Sequence, residues 1–241
     1  RQRVPSSMLI LVTDAHIRDN TAAAADFLAM LERIADSQHD VVFLGDIVDL
    51  WVALQNFPNA FGQDLLDWCC QQKERRFVAY LEGNHEFFVH RHHGEDFSRS
   101  SELALAWGDC VFMHGDRIHI VSLLTAFILW LAKSWLGYTA MRWTPGAPAI
   151  TAWMKSKLSS EARGIADNLP EEAVRPWAER EDRRYPGRQV FVGHFHVPAE
   201  WAFASGGAFR VVPAWKNGQL IGLFDPETGA YQTGSWRELL G

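Results

Sequence analysis

The chain has 241 residues, 48% of them hydrophobic and 22% charged, with 23 basic against 29 acidic side chains and a formal charge of −6. Such a composition can bury enough surface to offset the entropy of ordering the backbone, which excludes a disordered chain, and the acidic balance argues against a protein that tracks nucleic-acid phosphates. Cys69, Cys70 and Cys110 make neither a disulfide framework nor a zinc-ribbon spacing, so a reducing, cytoplasmic setting is expected.

Arg1 to Ser7 is basic and polar, and the apolar run that follows, Met8 to Val12, is shorter than the signal-peptide core of about 7–15 residues. Met8 is the expected start of one domain over residues 8–241. Leu9 to Thr13, Val41 to Gly45 and Phe77 to Leu81 are apolar runs rich in Val, Ile and Phe that stop at polar or Gly residues, and each predicts a buried strand. Between the first two, Ala24, Phe27, Leu28, Leu31 and Ile34 recur at helical spacing behind Asn20 and Thr21, which predicts a helix over Thr21 to Ser37 and a parallel βαβ unit. Gln63 to Lys73 is a second helix. Cys110 to Met113 and Val190 to Gly193 are further strands.

Between those strands, Ile118 to Leu136, Ala149 to Asn168 and Glu171 to Glu181 read as helices, separated by Thr144-Pro145-Gly146 and Leu169-Pro170. They predict a helical insertion over 117–183. Its longest uncharged stretch, Ile118 to Ala132, is too short for the roughly 20 residues that cross a bilayer. After Pro198, the runs Phe209 to Val212, Gln219 to Phe224 and Tyr231 to Thr233 predict antiparallel strands closing a second sheet.

Polar clusters sit at the carboxyl ends of five predicted strands: Asp14 and His16; Asp46 and Asp49; Asn84, His85 and Glu86; His114 and Asp116; His194 and His196. Those ends converge on one crevice in an open α/β sheet. Any one of these residues alone is an ordinary turn former or surface imidazole; five clusters in order are not. Oxygen and imidazole donors without thiolate suit Mn, Fe, Zn or Ni. Asp14, His16, Asp46 and His196 on one ion and Asp46, Asn84, His114 and His194 on another would make Asp46 a bridge, and two ions about 3.5–4 Å apart can clamp a phosphoryl group.

The series Asp14-x-His16, Gly45-Asp46-x-x-Asp49, Gly83-Asn84-His85-Glu86, His114-Gly115-Asp116 and Gly193-His194-x-His196 resembles the calcineurin-like metallophosphoesterase superfamily, with all five motifs in order. The resemblance implies an α+β fold, a four-layer αββα sandwich, with two divalent transition-metal ions between its sheets, most often manganese or iron. It also implies that His85 is no ligand but acts on the phosphoryl group or the leaving group, oriented by Asp49.

The length, the insertion and the tail Phe209 to Trp215 further resemble bacterial UDP-2,3-diacylglucosamine diphosphatases. That implies hydrolysis of a lipid-linked nucleotide to UMP and a lipid monophosphate, with a lid that receives acyl chains. That branch carries Arg where this chain has His85, and an acidic, Tyr-containing segment where this chain runs Arg117 to Ile120. Two other readings therefore stay open: a phosphodiesterase or phosphatase acting on soluble nucleotides, and a non-catalytic metal-bearing scaffold.

Candidate substrate contacts are Arg91 and Arg117, each close after a motif, Lys155 and Lys157 for a diphosphate, and Trp130 and Trp135 for an acyl chain. The alternative is that the apolar residues pack the insertion on the core and the lysines are a solvated face. His90, His92 and His93 around Arg91 read as an exposed loop in preference to a second metal or phosphate site. Of 11 Trp, Trp130, Trp135, Trp143 and Trp153 fall within 24 residues of the insertion. Trp suits a place where an apolar body meets a wet edge, which leaves peripheral contact with the inner face of a membrane open.

Overall fold

The computed structural model describes residues 7–119, 123–143 and 169–241. Its elements begin with β1 (Leu9–Val12), α1 (Ala22–Asp36), β2 (Asp40–Phe43), β3 (Trp51–Val52), α2 (Ala60–Gln72) and β4 (Val78–Leu81). There follow β5 (Glu86–Phe87), α3 (Val89–His93), β6 (Arg99–Ser101), β7 (Ala104–Trp107) and β8 (Cys110–Met113). Next come α4 (Leu123–Lys133), α5 (Trp135–Trp143) and α6 (Glu171–Arg184). The chain ends with β9 (Gln189–Val192), β10 (Ala199–Ala202), β11 (Ala208–Val211), β12 (Leu220–Phe224), β13 (Tyr231–Ser235) and α7 (Trp236–Leu239).

A six-stranded sheet has the order β13-β12-β1-β2-β4-β6 and a five-stranded sheet the order β10-β11-β9-β8-β7. In the first, β1, β2, β4 and β6 run parallel. In the second, β8, β9 and β11 run parallel. Alternation along buried strands separates the layers. Ile10 and Val12 face α1 and α2 with Phe27, Leu31 and Leu65, whereas Leu9 and Leu11 face the second sheet with Phe112 and Phe191. On the far side, Val174 and Ala178 of α6 cover Phe209 and Val211. The sequence expectation of a four-layer αββα sandwich is met. Burying one Phe fully, as at Phe27, contributes roughly 1.5–3 kcal/mol relative to exposure.

Local signals fix the helix starts. Thr21 Oγ1 accepts from the Ala24 amide at 3.2 Å, and Asn59 Oδ1 from Gly62 at 2.6 Å, so α2 begins three residues before the predicted Gln63. The C-terminal strands correct the sequence reading. Of the three runs predicted there, only the one at Ala208–Val211 joins the second sheet, antiparallel to β10 but parallel to β9; β12 and β13 instead extend the first sheet, with β12 antiparallel to β1. Ile221 and Leu223 then reach the helix-covered core while Phe224 reaches the core between sheets, which a solvent-facing strand could not offer.

The predicted helix Ile118 to Leu136 is also corrected. Ile118 and His119 lie in the turn after His114, and the described helix Leu123–Lys133 breaks at Ser134, whose hydroxyl donates to Leu131 O and accepts from the Gly137 amide, capping α5. Glu171 to Glu181 extends to Arg184. Thr144-Pro145-Gly146 and the predicted helix Ala149 to Asn168, with Trp153, Lys155 and Lys157, lie outside the described residues. Among the described residues no helix is long and apolar enough to cross a membrane.

Candidate metal centre

The five clusters follow β1, β2, β4, β8 and β9, so three come from the first sheet and two from the second. Parallel strands within each sheet aim their carboxyl ends the same way, and the two sets meet at one seam. The backbone bends sharply there: Asp14, His16, Asp46, His194 and His196 all hold positive φ between 48° and 67°. That region is costly for residues other than glycine and persists where surrounding structure imposes it, commonly at functional sites. Gly83 shows how tight the seam is, because a Cβ there would lie 2.1 Å from Asp46 Oδ1 and 2.6 Å from the Asp46 amide.

Each carboxylate gives one oxygen to the protein and presents the other to the crevice. Asp14 Oδ2 accepts from Thr13 Oγ1 at 2.8 Å and from the His194 amide at 2.7 Å. Its Oδ1 lies 3.2 Å from His196 Nε2 and 3.9 Å from His16 Nε2. Asp46 Oδ1 accepts from the His85 amide at 2.8 Å, while Oδ2 lies 3.4, 3.9 and 4.0 Å from the Nε2 atoms of His114, His85 and His16. Three groups can each gather ligand atoms within 4.8 Å: Asp14, His16 and His196; His16, Asp46 and His85; Asp14, Asp46 and His114. Asn84 Oδ1 lies 3.1 Å from His114 Nε2, and the His194 and His114 rings are edge to face at 5.1 Å.

Backbone carbonyls only accept, so they fix two tautomers. His114 Nδ1 donates to Leu44 O at 2.8 Å and His85 Nδ1 to Asp49 O at 2.6 Å, which turns both Nε2 atoms to the crevice. Asp49 thus holds His85 through its carbonyl, while its carboxylate receives Arg18 Nε at 3.0 Å. Glu86, fully buried, ties two ligand loops together: Oε1 accepts from the Ile47 amide and Tyr80 hydroxyl, and Oε2 from the Gly83 amide.

Electrostatics define the donor set. Burial pulls His16 down to about 3, and burial with the charge of His114 pulls His194 down to about 4, so both present neutral lone pairs. Burial alone would lower His114 too, but the charge of Asp46 and the hydrogen bond to it push His114 up to about 10. Burial would raise Asp46 and Asp14. Neighbouring His114, His85 and His16 overcome that for Asp46, and His196 and His114 for Asp14, holding both carboxyls below the usual range. Asp14 Oδ1, His16 Nε2 and His196 Nδ1 are buried with no hydrogen-bond partner. Converging anionic oxygens and unpartnered lone pairs call for a cation, and they fit divalent transition metals.

The other expected residues lie elsewhere. Arg91 places its guanidinium 4.0 Å above the Tyr138 ring, Arg117 is exposed in the turn after His114, and Trp130 and Trp135 are exposed on α4 and α5. The histidine-rich segment is largely engaged within the fold: His90 Nδ1 meets Ser100 Oγ, His93 Nδ1 meets Asp96, and His92 stacks on Tyr138. Sequence reasoning missed Lys216, whose Nζ stands 3.4 Å from His196 Nε2. Its only signal was a cation just after an apolar run near the end of the chain.

A family model described as calcineurin-like phosphoesterase matches residues 8–198. The chain belongs to that family. This calcineurin-like phosphoesterase is therefore a hydrolase whose family uses divalent metal ions, and its described residues gather the donors for them. No curated protein matches it. Among solved structures it is similar to Yfce, a phosphoesterase from E. coli, at 12% identity and TM-score 0.43, covering 95% of this chain and 98% of that one. It is also similar to a dimetal phosphatase from Danio rerio (15% identity, 95% and 92% covered, TM-score 0.41). A third likeness is vacuolar protein sorting 29 from Cryptosporidium parvum (11% identity, 95% of each chain, TM-score 0.44).

Proposed function

We propose that this phosphoesterase hydrolyses the diphosphate of a lipid-linked nucleotide such as UDP-2,3-diacylglucosamine, giving UMP and a lipid monophosphate. The observation that carries the lipid part is the apolar surface of α4 and α5. Leu129, Ala132, Tyr138 and Met141 pack on the core, while Leu123, Phe127, Trp130, Trp135 and Trp143 remain 56–81% exposed. Exposure on that scale suits acyl chains and the inner face of a membrane.

Two divalent ions, manganese ahead of iron, zinc and nickel, would supply Lewis acidity and acidify a water. Asp14, His16, Asp46 and His196 would hold one, and Asp46, Asn84, His114 and His194 the other. Asp46, whose Oδ2 faces three imidazoles, would serve both ions. His85 keeps its Nδ1 proton on the Asp49 carbonyl and faces the crevice with Nε2; carrying a second proton there, as the imidazolium, it would steady a phosphoryl oxygen or hand that proton to the leaving oxygen and return to the neutral ring. Lys216 and Arg117 add positive charge for a diphosphate. The insertion over 117–183 would act as the lid, with Arg91, Lys155, Lys157, Trp130 and Trp135 as further substrate contacts.

Purified protein should carry close to two transition-metal ions per chain, and with Mn²⁺ it should release UMP from UDP-2,3-diacylglucosamine. Full activity on the same nucleotide sugar without acyl chains would overturn the lipid part. A second reading, a phosphodiesterase on soluble nucleotides, is favoured by His85 at the place where the diphosphatase branch carries Arg, and that outcome would support it.

A further inference from the structure

Lys133, the last residue of α4, keeps only 18% of its side chain exposed. Its Nζ donates to the Gly83 carbonyl at 2.7 Å, lies 3.7 Å from Glu82 Oε2 and stands 5.5 Å from the centre of the Phe87 ring. The Glu82 side chain is only 1% exposed, its Oε1 accepts from the His90 amide, and its Oε2 has no hydrogen-bond partner. One ammonium from the helical block thus answers a buried carboxylate and fixes the carbonyl immediately before Asn84 and His85. A lysine at a helix end is usually solvated; burying its head group is costly unless it is paired.

The same block grips the following segment from its other side. Tyr138 of α5 packs edge-on to Phe88 at 5.2 Å and stacks on His92 at 5.6 Å, with Arg91 above its ring. Residues 83–92 therefore run between two anchors that both belong to α4 and α5. Asn84 and His85, an amide and one of the imidazoles at the candidate metal centre, lie just past the first anchor.

We infer that Lys133 is a positioning residue: through the Gly83 carbonyl and Glu82 it makes the seating of the helical block a condition for the aim of Asn84 and His85. The inference rests on the dinuclear reading above, in which those two side chains serve the ions and the phosphoryl group. Nothing in the role requires Lys133 to touch substrate. Its effect travels through one peptide unit and one carboxylate.

The test uses the full chain. Lys133→Met leaves Glu82 buried without its cation and can unfold the protein, so the decisive variant is Lys133→Met with Glu82→Gln, which removes both charges, alongside Lys133→Arg. Calorimetric titration with Mn²⁺ reads the ions, exchange of the His85 amide reads the loop, and kinetics separate kcat from KM. The double variant is expected to fold, to lose about 10–100-fold in affinity for one of two ions, to exchange the His85 amide faster and to lose kcat with little change in KM. Lys133→Arg should recover most of each. A double variant that binds both ions and turns over like the parent would overturn the inference and leave Lys133 a mere counter-charge to Glu82. A parent protein that binds no second ion would instead overturn the dinuclear reading, so the two failures are distinguishable.

Discussion

Asp46 and Asp14 both divide their oxygens between the protein and the crevice, but Asp46 Oδ2 faces three imidazoles where Asp14 Oδ1 faces two, while Asp46 Oδ1 holds the His85 amide. Asp46→Asn should keep the fold yet reduce bound metal from about two ions to less than one per chain and lower turnover on the order of 10³-fold, read by elemental analysis and steady-state kinetics. His114 gives a pH signature. Its pKa, pushed up to about 10 by Asp46, exceeds the unfolded value, so in metal-free protein it adds stability that is complete below about pH 6.5 and is lost as pH rises through about 10. Metal must displace that proton, so Mn²⁺ affinity should run the opposite way and rise about tenfold per pH unit through the neutral range. Calorimetry in buffers of different ionisation enthalpy would count the proton released. Lys216, with an exposed stem and its head group beside His196, should affect substrate more than metal. Lys216→Met is expected to raise KM for an anionic substrate by roughly three- to tenfold at nearly constant kcat.

At the scale of elements, the turn after β4 approaches the turn after β2 so closely that no side chain fits between them. Gly83→Ala would drive its Cβ into Asp46, and metal content should fall before thermal stability does, a sequence that titration and melting curves on one sample can order. Glu86→Gln would turn one acceptor of a fully buried carboxylate into a donor facing an amide. A loss of about 1–3 kcal/mol in denaturant unfolding is expected. The candidate ligand positions were legible in the sequence because β1, β2, β4, β8 and β9 are short, largely apolar runs that give way within one to three residues to Asp, Asn or His. Other elements were not. β3 and β5 have two residues each, and β6 is a short exposed edge with no period to read. Which sheet β12 joins depends on which edge is open, a property of the folded molecule. Lys133 and Lys216 look solvated in sequence, and only distant segments, Glu82 with Gly83 and His196, give them partners.

Across the whole molecule, the exposed apolar face of α4 and α5 stands apart from the buried clusters of the sandwich and from the cluster around Phe87 and Phe88 on which these helices pack. Phe127 and Trp130 stack on each other at 5.8 Å while each stays more than half exposed. Replacing both with Ser should change stability by no more than about 0.5 kcal/mol per site, yet weaken action on an acylated substrate relative to its unacylated counterpart. Paired melting curves and competition kinetics would show whether the face serves substrate or only happens to be bare. The seam between the sheets has a further consequence. The His194 amide reaches Asp14 across 180 positions of sequence, and His114 reaches Leu44 across 70. An ion bound there acts as a clip that closes a loop of most of the chain, and clips on long loops remove the most freedom from the unfolded state. Each ion at a hundredfold excess over its dissociation constant should add about 2.7 kcal/mol, or roughly 5–10 °C in Tm for a chain of this size. The clip would thus hold the two sheets in register as well as acting on phosphate, and a chelator should loosen their shared core.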